Sequence, residues 1–108
     1  MMSVVGLPIA LDREQVAAFC LERGIRKLSL FGSVLREDFD PDRSDVDVLA
    51  EFSPGNHPGI KLFGYGDELA EIIGHKVDFN TAEWLSKHFR DDVIREAVTI
   101  YEQEAANV

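Results

Sequence analysis

The sequence predicts a mixed α/β domain in which helices flank a small β-sheet. Its 108 residues suit a single domain, and a hydrophobic fraction of 45% is sufficient for one buried core. Segments of helical and of strand periodicity alternate along the chain, in the predicted order α-β-α-β-α-β-α. Because no repeat, low-complexity tract or linker interrupts this order, we expect one domain that spans residues 1–108.

The first helix and the first strand have clear boundaries in the sequence. Asp12 is a typical N-cap, with Gln15 three residues later as its capping-box partner. Gly24 predicts that the helix ends at about Arg23. The segment Ile25–Phe31 that follows has the residue pattern of a strand.

The middle of the chain predicts a second strand between two irregular segments. Ser33–Glu37 is expected to form a short helical turn, and Asp38–Ser44 a loop. Val46–Phe52 is rich in β-branched residues and is expected to be the strand. The Ser-Pro-Gly-Asn-His-Pro-Gly segment at 53–59 is a strong turn signal.

A helix and a third strand are predicted next. Apolar residues recur with helical spacing from Ile60 to Ile73, although Gly64 and Gly66 are expected to weaken or break the first part. Gly74 is expected to end this helix, and Lys76–Phe79 to form a short strand.

Two further helices are expected at the C-terminal end. Thr81 is predicted to cap a brief helix with Trp84 and Leu85, and a final helix is predicted from about Arg90 to Glu104. Part of the apolar face of the final helix is a candidate surface for a homo-oligomer or another partner. The apolar residues of this face are Val93, Ile94, Ala97, Val98 and Tyr101.

The charge and the targeting signals restrict the function. The formal net charge is −9, from 20 acidic and 11 basic residues, which disfavours direct binding of nucleic acid backbones. Cys20 is the only cysteine, so no intramolecular disulfide forms. Because the sequence shows neither a signal peptide nor a run of about 20 apolar residues, we expect a cytoplasmic protein with no membrane association.

Two sequence features together indicate a site for phosphoryl chemistry. Asp45 and Asp47 are two residues apart in a strand-like segment, which places both carboxylates on one face, where they can ligate two Mg²⁺ ions. Gly32 and Ser33 follow the first strand, where a residue without Cβ and a turn of free N–H groups suit a phosphate. The two features in conjunction are far more specific than either alone.

These segments resemble the signature of the DNA polymerase beta nucleotidyltransferase superfamily. The resemblance lies in Leu30–Arg36 and Ser44–Leu49, and is greatest to the minimal nucleotidyltransferase branch, whose members are often encoded beside a HEPN-domain partner. Leu62–Gly64, Glu68–Gly74 and Lys76–Asp78 are similar to the segment that leads to the family's third carboxylate. In all, the resemblance covers roughly residues 11 to 104 and implies the polymerase beta-like nucleotidyltransferase fold.

The resemblance also implies roles for individual residues. Gly32 and Ser33 would hold the triphosphate, and the basic residue Arg36 would touch a phosphate. Asp45 and Asp47 would ligate Mg²⁺. Asp78, which spacing alone does not select, would ligate the metal that activates the acceptor hydroxyl and would serve as its base. Many members have glycine after the arginine, whereas this chain has Glu37.

The family implies an antitoxin that transfers AMP from ATP to a tyrosine of its HEPN toxin partner. All three carboxylates that this reaction requires are present. The alternative from a different class is a binding module that neutralises its partner by complex formation, with little or no catalysis. Transfer to a small molecule is less favoured, because no second domain is predicted to hold one.

Overall fold

The chain folds into four strands and three helices in a computed structural model, which describes residues 9, 11–36, 39–40, 42–55, 58–81, 85 and 87–103. The elements are α1 (Arg13–Arg23), β1 (Ile25–Phe31), β2 (Val46–Phe52), α2 (Leu62–Ile73), β3 (Val77–Thr81), α3 (Lys87–Glu96) and β4 (Val98–Glu102). Short 3₁₀ helices lie at Gly32–Leu35 and Gly59–Lys61.

The four strands form one mixed sheet in the order β3-β2-β1-β4. Strand β1 lies in the centre and is antiparallel to both β2 and β4, whereas β2 and β3 are parallel. The parallel pair is connected through α2, as a parallel connection requires. The predicted class of mixed α/β fold is therefore confirmed.

The main core lies between one face of the sheet and the helices α1 and α2. Leu28 and Leu30 of β1 and Val46 and Val48 of β2 are fully buried on this face, together with Leu69 of α2. The opposite face carries α3, whose Val93 packs on Phe31 and Leu49. No helix within the described ranges has the length and apolar character needed to cross a membrane.

The boundaries of α1 are those that the sequence predicts. The Asp12 carboxylate accepts hydrogen bonds from the backbone N–H groups of Glu14 (3.1 Å) and Gln15 (3.2 Å). The Gln15 side chain donates to the same carboxylate at 2.8 Å, so it reinforces the cap through the Asp12 side chain. Gly24 ends the helix in the left-handed conformation, with φ of +70°.

Helix α2 runs without interruption through Gly64 and Gly66, so these residues do not break its first part, one of the two outcomes expected from the sequence. A Cβ at position 66 would lie 3.3 Å from Cβ of Phe79 and 3.7 Å from the carbonyl oxygen of Val77. Gly66 therefore permits α2 to pack closely on β3. At position 64 the nearest atom is Oε1 of Glu68, at 3.8 Å, so that glycine has no comparable packing role.

The predicted final helix from Arg90 to Glu104 is wrong. Helix α3 ends at Glu96, and the chain continues as strand β4, which pairs with β1. The apolar face expected on that helix is divided, because Val93 is buried under the sheet, Ile94 is 51% exposed, and Tyr101 packs on the main core from β4. The proposed homo-oligomer surface does not exist as a single helical face.

The brief helix predicted after Thr81 is not observed in the part of the chain that the structure describes. Thr81 is the last residue of β3 instead of a helix cap. Residues 82–84, which include Trp84, lie outside the described residues, as do Glu37, Asp38 and Glu104.

The two glycines inside α2 allow a matched test of this packing. Gly64→Ala is expected to raise the free energy of unfolding by about 0.5–1 kcal/mol, because alanine loses less backbone entropy in a helix. Gly66→Ala is expected to gain clearly less, because the added methyl group presses on Phe79. Urea unfolding monitored by circular dichroism measures both values, and equal gains would contradict the close contact between α2 and β3.

Candidate nucleotide and metal site

Three aspartates converge on the face of the sheet opposite the main core. Asp47 of β2 and Asp78 of β3 are direct partners in the parallel register, so their side chains project from the same face. Asp45 precedes Asp47 by two residues and follows the same alternation. Asp45 and Asp78 are exposed and Asp47 is half-buried.

The burial of their neighbours fixes the direction of these side chains. Val46 and Val48, on either side of Asp47, are both 0% exposed in the main core. Val77 and Phe79, on either side of Asp78, pack against the same core. Because successive residues of a strand face opposite sides, the two aspartates must both point away from the core.

The turn after β1 approaches the Asp47 carboxylate closely. Phe31 is the register partner of Asp47, and the chain turns at Gly32 with φ of +75°. A Cβ on Gly32 would clash with Oδ2 of Asp47 and would lie 3.1 Å from its Cγ. Gly32 is thus required both for its backbone conformation and for the space that the carboxylate occupies.

Ser33 contributes a backbone donor to the same group. Its N–H donates a hydrogen bond to the Asp47 carboxylate at the start of the 3₁₀ helix. Its carbonyl accepts from the N–H of Arg36 at 2.9 Å, which closes the turn. The Gly-Ser pair and the Asp-x-Asp pair, separate in sequence, therefore meet at one point.

The electrostatics of the site disfavour a negative charge on Asp47. Partial burial, followed by the neighbouring charge of Asp78, raises the pKa of Asp47 to about 6 from a usual value of 3.8. The hydrogen bond with the Asp78 side chain and the charge of Asp45 act in the same direction, whereas the Ser33 N–H opposes them. A bound cation would remove this repulsion.

The donor set fits Mg²⁺, a hard cation that prefers oxygen ligands. Among the described residues, no three or more histidine, cysteine or acidic side chains are placed so that they could hold a metal ion by themselves. Mg²⁺ commonly retains water and phosphate ligands and uses one or two carboxylates, so an open carboxylate cluster suits it better than a cage.

The other residues that could act at this site are Arg36 and Glu37, which follow the Gly-Ser turn, and Lys76. Arg36 follows the 3₁₀ helix directly and has an exposed side chain, so its contact with a phosphate stays a prediction. Glu37 lies outside the described residues. Lys76, to which the sequence alone gives no role, lies immediately before β3, two residues before Asp78. This two-residue spacing from Asp78 is the sequence feature from which a role for Lys76 could have been inferred.

Gly32 can be tested against a glycine of similar conformation in an open position. Gly32 and Gly74 have φ of +75° and +82°, but no atom lies within 4 Å of a Cβ built on Gly74. Gly74→Ala is expected to cost about 1 kcal/mol of stability through backbone strain alone. Gly32→Ala is expected to cost at least about 1 kcal/mol more, because of the clash with Asp47. Equal losses in urea unfolding would contradict this clash.

The raised pKa of Asp47 predicts a pH-dependent difference in stability. Its folded pKa, about 6, lies above the unfolded value near 3.8, so ionisation destabilises the folded state. This cost is absent below about pH 4, grows up to about pH 6 and is then constant.

In EDTA, the Tm of Asp47→Asn should therefore exceed that of the wild type by an amount that increases between pH 4 and pH 6. Asp67→Asn, which removes an exposed carboxylate from α2, is the control for the loss of one surface charge. A constant difference for Asp47→Asn across this interval would contradict the electrostatic account. Differential scanning fluorimetry over a pH series makes the comparison.

Comparisons with known proteins identify the family and the fold of this chain. Residues 13–101 match the nucleotidyltransferase domain family. An inferred protein adenylyltransferase of Methanocaldococcus jannaschii is 30% identical over 88 residues, which cover 82% of this chain and 92% of that protein. The fold is also shared by a chain from the complex of the tri-AMPylated HEPN toxin with the MNT antitoxin of Shewanella oneidensis. That chain has a TM-score of 0.59 at 15% identity, and the alignment covers 85% of this chain and 71% of that one.

The most informative solved structure is that of an inferred minimal nucleotidyltransferase. It has a TM-score of 0.65 and 30% identity, with 80% of this chain and 86% of that chain covered. The family match extends over most of the sequence and includes both the Gly-Ser turn and all three aspartates. The chain therefore belongs to the nucleotidyltransferase domain family, in its minimal nucleotidyltransferase branch.

Proposed function

We propose that this protein is an antitoxin that transfers AMP from ATP to a tyrosine of a HEPN toxin and thereby neutralises it, in a reaction that requires Mg²⁺. The observation that carries the proposal is the convergence of Asp45, Asp47 and Asp78 beside the Gly32–Ser33 turn. The names of the relatives support it, since one is an inferred protein adenylyltransferase and another structure contains an AMPylated HEPN toxin.

In this proposal the turn after β1 holds the triphosphate tail. Gly32 leaves no side chain between the backbone and the ligand, and the Ser33 hydroxyl supplies a hydrogen-bond donor for a phosphate oxygen. Asp45 and Asp47 hold Mg²⁺ next to this turn, which neutralises the repulsion that raises the pKa of Asp47. Arg36 would add a positive charge for the phosphates.

Asp78 serves the acceptor side of the reaction. Together with Asp45 and Asp47 it would hold two Mg²⁺, which polarise the phosphoryl oxygens and lower the pKa of the acceptor hydroxyl. The tyrosine oxygen forms a bond with the α-phosphorus, the bond between the α-phosphorus and the bridging oxygen breaks, and pyrophosphate leaves. The hydroxyl proton passes to the Asp78 carboxylate.

The position of Asp78 suits an acceptor that belongs to another protein. It is exposed and lies on β3, an edge strand of the sheet, so a side chain of a partner can approach it from outside. In-line displacement depends mainly on positioning and charge neutralisation. A partner that presents a tyrosine at this edge supplies the positioning.

Incubation with α-labelled ATP, Mg²⁺ and the product of the neighbouring gene, which the proposal requires to be a HEPN toxin, tests the proposal. Label is expected on the partner, and Asp45→Asn/Asp47→Asn should reduce it at least about 100-fold, because the metal site is lost. The matched control Asp67→Asn/Glu71→Gln removes two exposed acids from α2 and should label normally.

The family resemblance implies that the HEPN toxin is a ribonuclease, and inhibition of that activity distinguishes the two candidate functions. The proposed enzyme requires that inhibition of the partner follows labelling and is lost in Asp45→Asn/Asp47→Asn. A partner that is inhibited without label, equally by the wild type and by this variant, would show a binding module instead.

A further inference from the structure

We propose that Lys76 is a phosphate-binding residue that contacts the reacting α-phosphate of the nucleotide, from the side of the site opposite Ser33. The inference rests on the proposed function, because it assumes that a nucleoside triphosphate lies over the three aspartates. It assigns to the site a further residue, whose positive charge lies next to the phosphoryl group that is transferred.

The backbone places Lys76 at the edge of the carboxylate cluster. The N–H of Val46 donates to the carbonyl of Lys76 at 2.8 Å, which extends the parallel ladder by one step before β3 begins. In this register Val46 pairs with Val77 and Asp47 pairs with Asp78. Continued by one residue, it sets Lys76 beside Asp45.

The alternation of side chains directs Lys76 to the face that carries the aspartates. Val77 packs against the main core, so the residues on either side of it, Lys76 and Asp78, lie towards the opposite face. Asp45 lies on that face for the same reason, because Val46 is buried. One lysine thus accompanies three carboxylates.

The ammonium group of Lys76 is available to a ligand. Its side chain is exposed, and the ion pairs recorded within 4.0 Å among the described residues do not include it. In a chain with a formal charge of −9, a cation at an acidic site assists the approach of a negatively charged triphosphate.

The sheet order determines which phosphate Lys76 reaches. Ser33 follows β1 by two residues and Lys76 immediately precedes β3, with β2 between them. The two are therefore about two strand spacings, or roughly 9.6 Å, apart. With the triphosphate tail at Ser33 and the acceptor at Asp78, the α-phosphate lies between them. A lysine on the acceptor side therefore neutralises the phosphoryl group that is transferred, not the pyrophosphate that leaves.

Isothermal titration calorimetry with two ligands tests this assignment. The ligands are the Mg²⁺ complexes of α,β-methylene-ATP and of pyrophosphate, in 0.15 M salt so that distant charges are screened. Lys76→Met is expected to weaken binding of the ATP analogue about tenfold, the loss of one charge-assisted contact. Pyrophosphate binding should remain within about twofold. Lys76→Arg should retain most of the affinity. The control Lys61→Met changes an exposed lysine at the end of the 3₁₀ helix before α2 and should leave binding of both ligands unchanged.

The outcomes separate the inference from the function on which it rests. If the wild type binds the ATP analogue and Lys76→Met binds it equally well, the inference is overturned and the proposed function stands. Equal weakening of both ligands would also overturn it, since Lys76 would then act on the tail or through the general field. A wild type that binds no Mg²⁺-nucleotide would overturn the proposed function and this inference together.

Discussion

The parallel register between β2 and β3 is the constraint on which the candidate site depends. Val46 and Val48 on one strand, and Val77 and Phe79 on the other, are held on the core face by burial. The residues between these apolar side chains must therefore project from the opposite face of the sheet. A slip of one residue would turn the aspartates into the core, where unpaired carboxylates are very costly. The apolar contacts thus fix the acidic geometry.

The same arrangement stores electrostatic repulsion in the metal-free protein. Asp47 lies against Gly32 and Ser33 on one side and faces Asp78 on the other, and its pKa is raised to about 6. A folded protein keeps such a cluster only where the rest of the structure holds it, as in sites built for a ligand. The close contact with Gly32 explains why a glycine is needed before Ser33, beyond its role in the turn.

The sequence pattern was sufficient to identify Asp45, Asp47 and the Gly-Ser turn, but not to predict the whole sheet. Asp45 and Asp47 were identified from their spacing, whereas Asp78 was identified only from the family resemblance, because its partnership with Asp47 depends on a long-range register. Gly66 was expected only to weaken or break the helix, because its contact with Phe79 is tertiary and is not visible in the local sequence. Local propensity indicates neither the pairing of Asp78 with Asp47 nor the contact of Gly66 with Phe79.

The C-terminal error has a local cause. Apolar residues at 93, 94, 97, 98 and 101 fit helical spacing, yet Val98–Glu102 also contains the β-branched and aromatic residues that favour a strand. The central strand β1 would otherwise be an open edge, and pairing with β4 satisfies its backbone groups. For Val98–Glu102, pairing with the edge of the sheet therefore outweighs the preference for a helix that the apolar spacing suggests.

The most direct test of the central claim is nuclear magnetic resonance of the protein with a paramagnetic ion in place of Mg²⁺. Addition of Mn²⁺ and ATP should broaden the amide signals of Ser33, Asp47 and Asp78 first. The signals of Ile25 and Phe52, which pair at the other end of β1 and β2, should broaden least. Broadening centred on the acidic loop at Asp42, or spread evenly over the chain, would contradict a metal-nucleotide site at these three aspartates.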